Sequence, residues 1–568
     1  MRILPVSLDA VLVELPGLDD TLALLEALQA DPVEGVVDLV PAARTLLVQF
    51  QPWVCTQAAL VAQIRARQGR PRAREQTGEL VQIPVRYDGE DLPEMAAYLQ
   101  LTEDELVRRH AASVWTVAFT GFAPGFAYLA GGDPVFDVPR RSSPRTRILA
   151  GSVGLAGRFS GVYPRATPGG WQLIGTTDVP MWDLARATPA LLQPGMRVQF
   201  VDVATEAGVA LQAGYACSGA ANGTVPLTGA APGADAGLDV GAGAAPGADD
   251  AAVLDVLNAG LQALFQDAGR PGRAGQGVSA SGALDRTAFR LANQLLGNAP
   301  DAPVIELLHG GFSVRALQRT VVALTGATGA LTLRDGLGRL LPAARHQPLA
   351  LDPGDVLTVG APERGLRTYL GVRGGFAVAP VLGSCATDTL AGVGPEPLRM
   401  GQRLQAGRAV RGAVDAPEAG SPTLEVLLPH LPETAGSPAA SRHAIVLDIT
   451  LGPRTDWFDG ESLQRLVQQD WQVTQQSSRV GLRLQGEEPL QRAATCAGVE
   501  LPSEGTALGA LQVPANGQPV LFLADHPLTG GYPVIGCVAP YHLDRAAQLP
   551  AGTFVRFRVV APFVEHGK

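Results

Sequence analysis

Apolar positions from Leu8 to Tyr87 switch between two periods. DAVLVEL, GVVDLVP, RTLLVQF and ELVQIPVRY read as strands, whereas DDTLALLEALQA sets Leu22, Leu25 and Leu28 on one helical face. TQAALVAQIRARQ is a second helix with Thr56 as its N-cap. The order strand, helix, strand, strand, helix, strand predicts a split βαβ, ferredoxin-like unit. A further helical stretch, LPEMAAYLQLTEDELVRRHAA, takes Thr102 as N-cap with acidic residues in its first turn, and His110 is read as capping its end.

Between Val114 and Val203 the texture changes to short β-prone runs broken by Gly and Pro, which predicts an antiparallel barrel or sandwich. Ala, Gly and Pro then dominate from about 204 to 250, and GAAPGAD occurs at 229–235 and again at 243–249, the composition of a flexible linker. Beyond it, ALDRTAFRLANQLLGN is one clear helix with Asp285 near its start and Gly297–Asn298 as its stop. Two further β-rich blocks follow, separated by a Pro- and acid-rich gap near 413–440. The expected units are 1–87, 88–205, the linker 206–250, 251–415 and 416–568, in a chain of mainly β, α+β class. A length of 568 residues, against about 150 per domain, agrees with several units.

Charge alters the picture by exclusion. With 44 basic and 54 acidic residues the net charge is −10, so no basic excess points to nucleic acid. Every basic residue except Lys568 is arginine, which excludes a P-loop lysine, a Schiff base and biotin attachment within this chain. Cys55, Cys217, Cys385, Cys496 and Cys537 are widely spaced without C-x-x-C, an arrangement expected of a reducing cytoplasm. Asp9 breaks the apolar start, so no signal peptide is expected. No run approaches about 18 apolar residues, so no membrane span is expected either.

G-x-S-x-G and H-E-x-x-H are both missing. What stands out instead are glycine strings carrying arginine and hydroxyl residues: GFAPGFAYL, PRRSSPRTRILAGSVGLAG and TPGGWQLIGTTD. Such strings serve either as barrel turns with a solvated arginine face or as cradles in which backbone N–H groups and Arg140, Arg141, Arg145 and Arg147 hold a carboxylate or phosphate. In SSRVGLRL, Arg479 and Arg483 are four apart, which on a strand places both on one face as a carboxylate clamp. In DHPLTGGYP, His526, Thr529 and Tyr532 surround a Gly-Gly turn, and His526 is either an acid/base group or a turn histidine.

GFAPGFAYL, PRRSSPRTRILAGSVGLAG and YPRATPGGWQLIGTTD resemble the family called allophanate hydrolase subunit 1, sporulation-kinase inhibitor or the B subunit of 5-oxoprolinase. After the linker, FQDAGRPG, VSASGALDRTAFRLANQLLGN, LRTYLGVRGGF, VLGSCATDTLAGVG, LPSEGTALGALQVPANGQPV and ADHPLTGGYPVIG resemble the C subunit of 5-oxoprolinase, or allophanate hydrolase subunit 2. The resemblance covers nearly all of the chain except the linker and implies a fusion of two subunits. It also implies a ferredoxin-like N-terminal domain followed by three cyclophilin-like β-barrels. The implied activity is ATP-dependent opening of the 5-oxoproline lactam to glutamate with a separate 5-oxoprolinase A subunit, ATP with Mg being held mainly by that partner. His526, Arg483, Arg479 and Tyr532 are the catalytic candidates; Arg145, Ser152, Gln172, Thr176, Gln512, Glu504 and Thr529 are the substrate-binding ones. Where the family pattern shows IGRT this chain has IGTT, so Thr176 replaces an arginine contact. The same modules form the carboxyltransferase part of urea carboxylase, which makes a biotin-dependent carboxyltransferase the alternative, with biotin arriving on another chain. Regulation of a histidine kinase ranks third, since a fused inhibitor and antagonist would be permanently engaged. Homo-oligomerisation stays open.

Overall fold

The computed structural model describes residues 1–69, 80–141, 143, 145–205, 210, 252–408, 410–414 and 444–565. The expected linker, residue 210 apart, and most of the 413–440 gap fall outside them.

Strands Arg2–Ser7, Ala10–Glu14, Thr45–Phe50 and Val36–Pro41 form, in that order, an antiparallel four-stranded sheet. Both of its faces are apolar, for different reasons. Ile3, Val11, Val13, Leu46 and Val48 pack on the helices Leu18–Ala30 and Gln57–Arg67, whereas Leu4, Val6, Leu12 and Leu47 pack on Ala274, Ala507 and Leu528 of the second half. The strand expected to complete the split βαβ, Leu80–Val85, leaves this sheet and pairs in parallel with Arg197–Asp202; Arg2–Ser7 takes the edge beside Ala10–Glu14 instead. Every residue from Ile83 to Val85 is buried there, and Ile83 and Val85 join the core of the next unit.

That next sheet has seven strands, ordered Gln172–Thr176, Ser152–Ala156, Phe159–Val162, Ala127–Ala130, Val114–Thr120, Arg197–Asp202 and Leu80–Val85. It curls until Arg86 bridges Thr176, so its two edges meet. His110 does not cap its helix. It is buried, its two ring nitrogens facing Tyr87 Oη at 2.8 Å and Ser160 Oγ at 2.9 Å, and burial lowers its pKa to about 3.

In the second half a nine-stranded sheet is organised by two long strands, Thr320–Arg334 and Val356–Val372. Their ladder shifts register at Gly326, Thr328 and Gly329, and such irregularities bend a long pair through two layers. The last unit is a closed seven-strand barrel, built from Ile445–Leu451, Val534–Val538, Ala510–Gln512, Val520–Phe522, Gly481–Gln485, Trp471–Val473 and Phe554–Ala561. Of the three expected barrels, one is a closed cylinder and two are curled sheets. Among the described residues no helix is long and apolar enough to cross a membrane.

Candidate functional site

The two halves meet through glycine-spaced loops. In GFAPGF the Phe122 N–H donates to Thr529 Oγ at 3.2 Å and the Gly125 N–H to the Gln276 carbonyl at 3.1 Å. A Cβ on Gly121 would lie 2.5 Å from Thr529 Oγ, and one on Gly277, which sits at φ +75°, would lie 2.7 Å from the Ala123 carbonyl oxygen. Glycine at 277 is what allows the two backbones to approach, and glycine at 121 makes room for the Thr529 side chain.

The approach leaves a small pocket of about 210 Å³, counted with its open mouth. Phe122 and Pro124 line it from the first half; Ser279, Asp388, Leu390 and His526 line it from the second. Asp388 sits in its own turn, one carboxyl oxygen accepting the Leu390 and Ala391 N–H groups at 2.9 and 2.7 Å, the other the Ser279 hydroxyl at 2.8 Å. Burial, reinforced by the charge of Asp525, pushes the Asp388 pKa up to about 6. Asp525 behaves oppositely. Burial would raise it too, but Arg479 donates to both its oxygens at 3.0 Å, Ser281 and Thr389 add hydroxyl bonds at 2.7 Å each, and together they hold it below the usual carboxylate range. Two neighbouring acids driven apart in this way can divide the parts of proton acceptor and fixed anion.

His526 is buried and stacks on Phe522 at 5.8 Å between ring centroids. Its Nδ1 lies 2.9 Å from the Pro527 carbonyl, which can only accept, so Nδ1 carries the proton and Nε2 keeps its lone pair. Burial lowers the pKa and keeps the ring neutral.

The other sequence candidates are dispersed. Arg479 and Arg483 do not form a clamp. A turn closed by Ser478 N–H to the Gly481 carbonyl, 3.1 Å, places Arg479 before the strand, where it is buried between Asp525 and Glu306. Arg483 projects from the barrel surface, because Leu482 and Leu484 take the inward positions. The Tyr532 side chain is 42% exposed, and its carbonyl accepts from Gln512 Nε2 at 3.2 Å. Glu504 is consumed by Arg454 at 3.0 Å, and Arg454 also reaches Glu14 at 3.0 Å. Thr529 holds Phe122 rather than a ligand. In the first half, Arg145 is bound by Asp91 at 2.7 Å and Glu90 at 3.0 Å, beside Arg141 on the same Asp91. Gln172 donates to the Pro139 carbonyl at 3.1 Å, Thr176 to Asp88 at 2.8 Å, and Ser152 is buried opposite Thr176 in the strand register. None of these four lines the pocket.

Motif spacing does not single out Asp388, Asp525 and Ser279, although they lie inside the strings VLGSCATDTLAGVG, ADHPLTGGYPVIG and VSASG. An acid next to Thr, Gly or Pro reads as turn chemistry, and only burial distinguishes it. Among the described residues no three His, Cys, Asp or Glu side chains group as a metal site.

Residues 276–559 match the family described as carboxyltransferase domain, subdomain A and B, and residues 1–192 match carboxyltransferase domain, subdomain C and D. The C subunit of 5-oxoprolinase from Escherichia coli (strain K12) is 35% identical over 311 residues, 54% of this chain and 90% of that protein. The B subunit of 5-oxoprolinase from Haemophilus influenzae is 35% identical over 208 residues, 35% of this chain and 97% of that protein. The crystal structure of TTHA0988 matches with a TM-score of 0.73 at 32% identity, covering 97% of this chain and 99% of that one. The chain belongs to the carboxyltransferase-domain family, as a fusion of a B-type with a C-type module of 5-oxoprolinase.

Proposed function

We propose that this chain is the B–C component of an ATP-dependent 5-oxoprolinase, acting in the cytoplasm with a separate A subunit. The observation that carries the reading is the seam pocket, which sets an acid of pKa about 6 beside a neutral histidine in a protein similar to both the B and the C modules. Opening the lactam adds one water across its C–N bond, oxygen to the carbonyl carbon and hydrogen to the nitrogen. Asp388, ionised at neutral pH, takes the proton of the attacking water and returns it to the leaving nitrogen, and the His526 Nε2 lone pair accepts from the lactam N–H to orient the ring. ATP, which we assign to the A subunit together with Mg, supplies activation of the resonance-stabilised carbonyl and is itself hydrolysed with a second water to ADP and phosphate.

The test is to mix 5-oxoproline, Mg-ATP, the A subunit of the enzyme and this chain, and to measure glutamate and phosphate. Formation of both that requires all four components is expected. Equal glutamate without ATP or without the A subunit overturns the reading. The family description favours one rival, carboxyl transfer; carboxyl movement from carboxybiotin to urea or another amide without glutamate formation would establish it instead.

A further inference from the structure

Two arginines bracket the turn that carries Asp388, one from each half, behind the residues that line the seam pocket. Arg270, 2% exposed, donates through Nη2 to the Ala386 carbonyl, while its Nε and Nη1 are buried with no hydrogen-bond partner. Arg165 donates through Nη2 to the Leu390 carbonyl, and its buried Nε likewise has no partner. Asp388 accepts from Ser279, Leu390 and Ala391 and not from these guanidinium groups, which hydrogen-bond the backbone carbonyls on either side of it. A buried guanidinium with unpaired N–H groups is costly unless something accepts from it, and the planar fork suits a carboxylate. Burial depresses the pKa of both arginines even though the charge of Asp388 works the other way on each.

We propose that Arg165 and Arg270 form a composite subsite for the carboxylate of a small substrate, assembled only when the two halves dock, with the reacting group of that substrate directed to Asp388 and His526. This rests on the 5-oxoprolinase reading for the identity of the substrate, but the anion site itself does not depend on it. A site divided between halves also gives a reason for fusing them, since neither half alone holds both cations.

Calorimetric titration of the full chain, alone and with the A subunit, separates the possibilities, using 5-oxoproline, 2-pyrrolidinone (the same lactam without its carboxylate) and bicarbonate. Expected is binding of 5-oxoproline at least 10-fold tighter than of pyrrolidinone, with Arg165→Gln erasing the difference and Arg165→Lys keeping part of it. Melting curves of both variants confirm that they fold, Arg165 being only half-buried. Bicarbonate binding that depends on Arg165, without 5-oxoproline binding, keeps the subsite and overturns the lactam reading. Equal binding of the two lactams, discrimination unchanged in Arg165→Gln, or no anion binding by the wild-type chain overturns the subsite.

Discussion

Asp388 and Asp525 are joined through Thr389, whose N–H and hydroxyl both donate to Asp525, and their difference is set by their partners. Asp525 has a guanidinium hydrogen-bonded to both its oxygens; Asp388 is hydrogen-bonded only by N–H and hydroxyl groups, and burial with the charge of Asp525 outweighs the more remote charge of Arg270. Between pH about 4 and about 6 the folded protein holds a proton on Asp388 that the unfolded chain has lost, so stability falls as pH rises through that window. Catalysis runs the other way, because only the ionised form can accept a proton. We expect kcat/KM of the assembled complex to rise with a midpoint near pH 6. Asp388→Asn should lower it by roughly 100-fold or more and remove both the acid limb and the pH slope of melting temperature in that window. A wild-type profile that is flat from pH 5 to 7 would take Asp388 out of the proton-transfer role.

At the scale of elements, local signals and long-range ones separate cleanly. Thr56, Thr102 and Asp285 cap their helices as their positions in the sequence require, each accepting from the N–H three residues on, at 3.3, 3.2 and 2.8 Å. Leu22, Leu25 and Leu28 are buried on one face for the same local reason. What the pattern could not contain is the choice of partner: ELVQIPV has the same β-period whichever sheet it joins, and its parallel partner lies more than a hundred residues away. The site was legible only as glycine strings. His526 was found because histidine is rare among them, whereas the acids and Arg270 gain meaning from burial, which spacing does not encode. The four-residue spacing of Arg479 and Arg483 misled because a turn lies between them. The glycines themselves are testable. Ala at 277 must adopt φ +75° and place its Cβ 2.7 Å from the Ala123 carbonyl, so the GFAPGF loop has to withdraw from the seam. Gly277→Ala should leave each half folded, by two unchanged core melting transitions or near-native circular dichroism, while lowering turnover at least about 10-fold, equivalent to ~1.4 kcal/mol of barrier. Retention of full turnover would mean that the loop contact is not part of the working site.

For the whole molecule the question is what holds the halves together, the connecting segment or the surface between them. A tether raises effective concentration to roughly the millimolar range without adding a contact, so a weak surface would depend on it. The surface here is not weak in character. One face of the N-terminal sheet packs on Ala274, Ala507 and Leu528, Thr450 donates to the Val6 carbonyl at 2.9 Å, and Arg454 bridges Glu504 and Glu14 across the seam. Burial works to lower the Arg454 pKa, but the two acids outweigh it and raise it above the ordinary arginine value. Cleavage near Gly237 should therefore leave the two pieces co-eluting in size-exclusion chromatography with turnover within about twofold of the intact chain. Removing the bridge should reverse this in the cut protein only. Arg454→Ala leaves Glu504 buried and uncompensated, a change of about 3–5 kcal/mol for a buried pair broken on one side. In the intact chain the tether should mask much of that loss, and in the cleaved chain the halves should separate. Separation of the cut wild-type protein at micromolar concentration, with each piece still folded, would show that the tether and not the seam maintains the assembly.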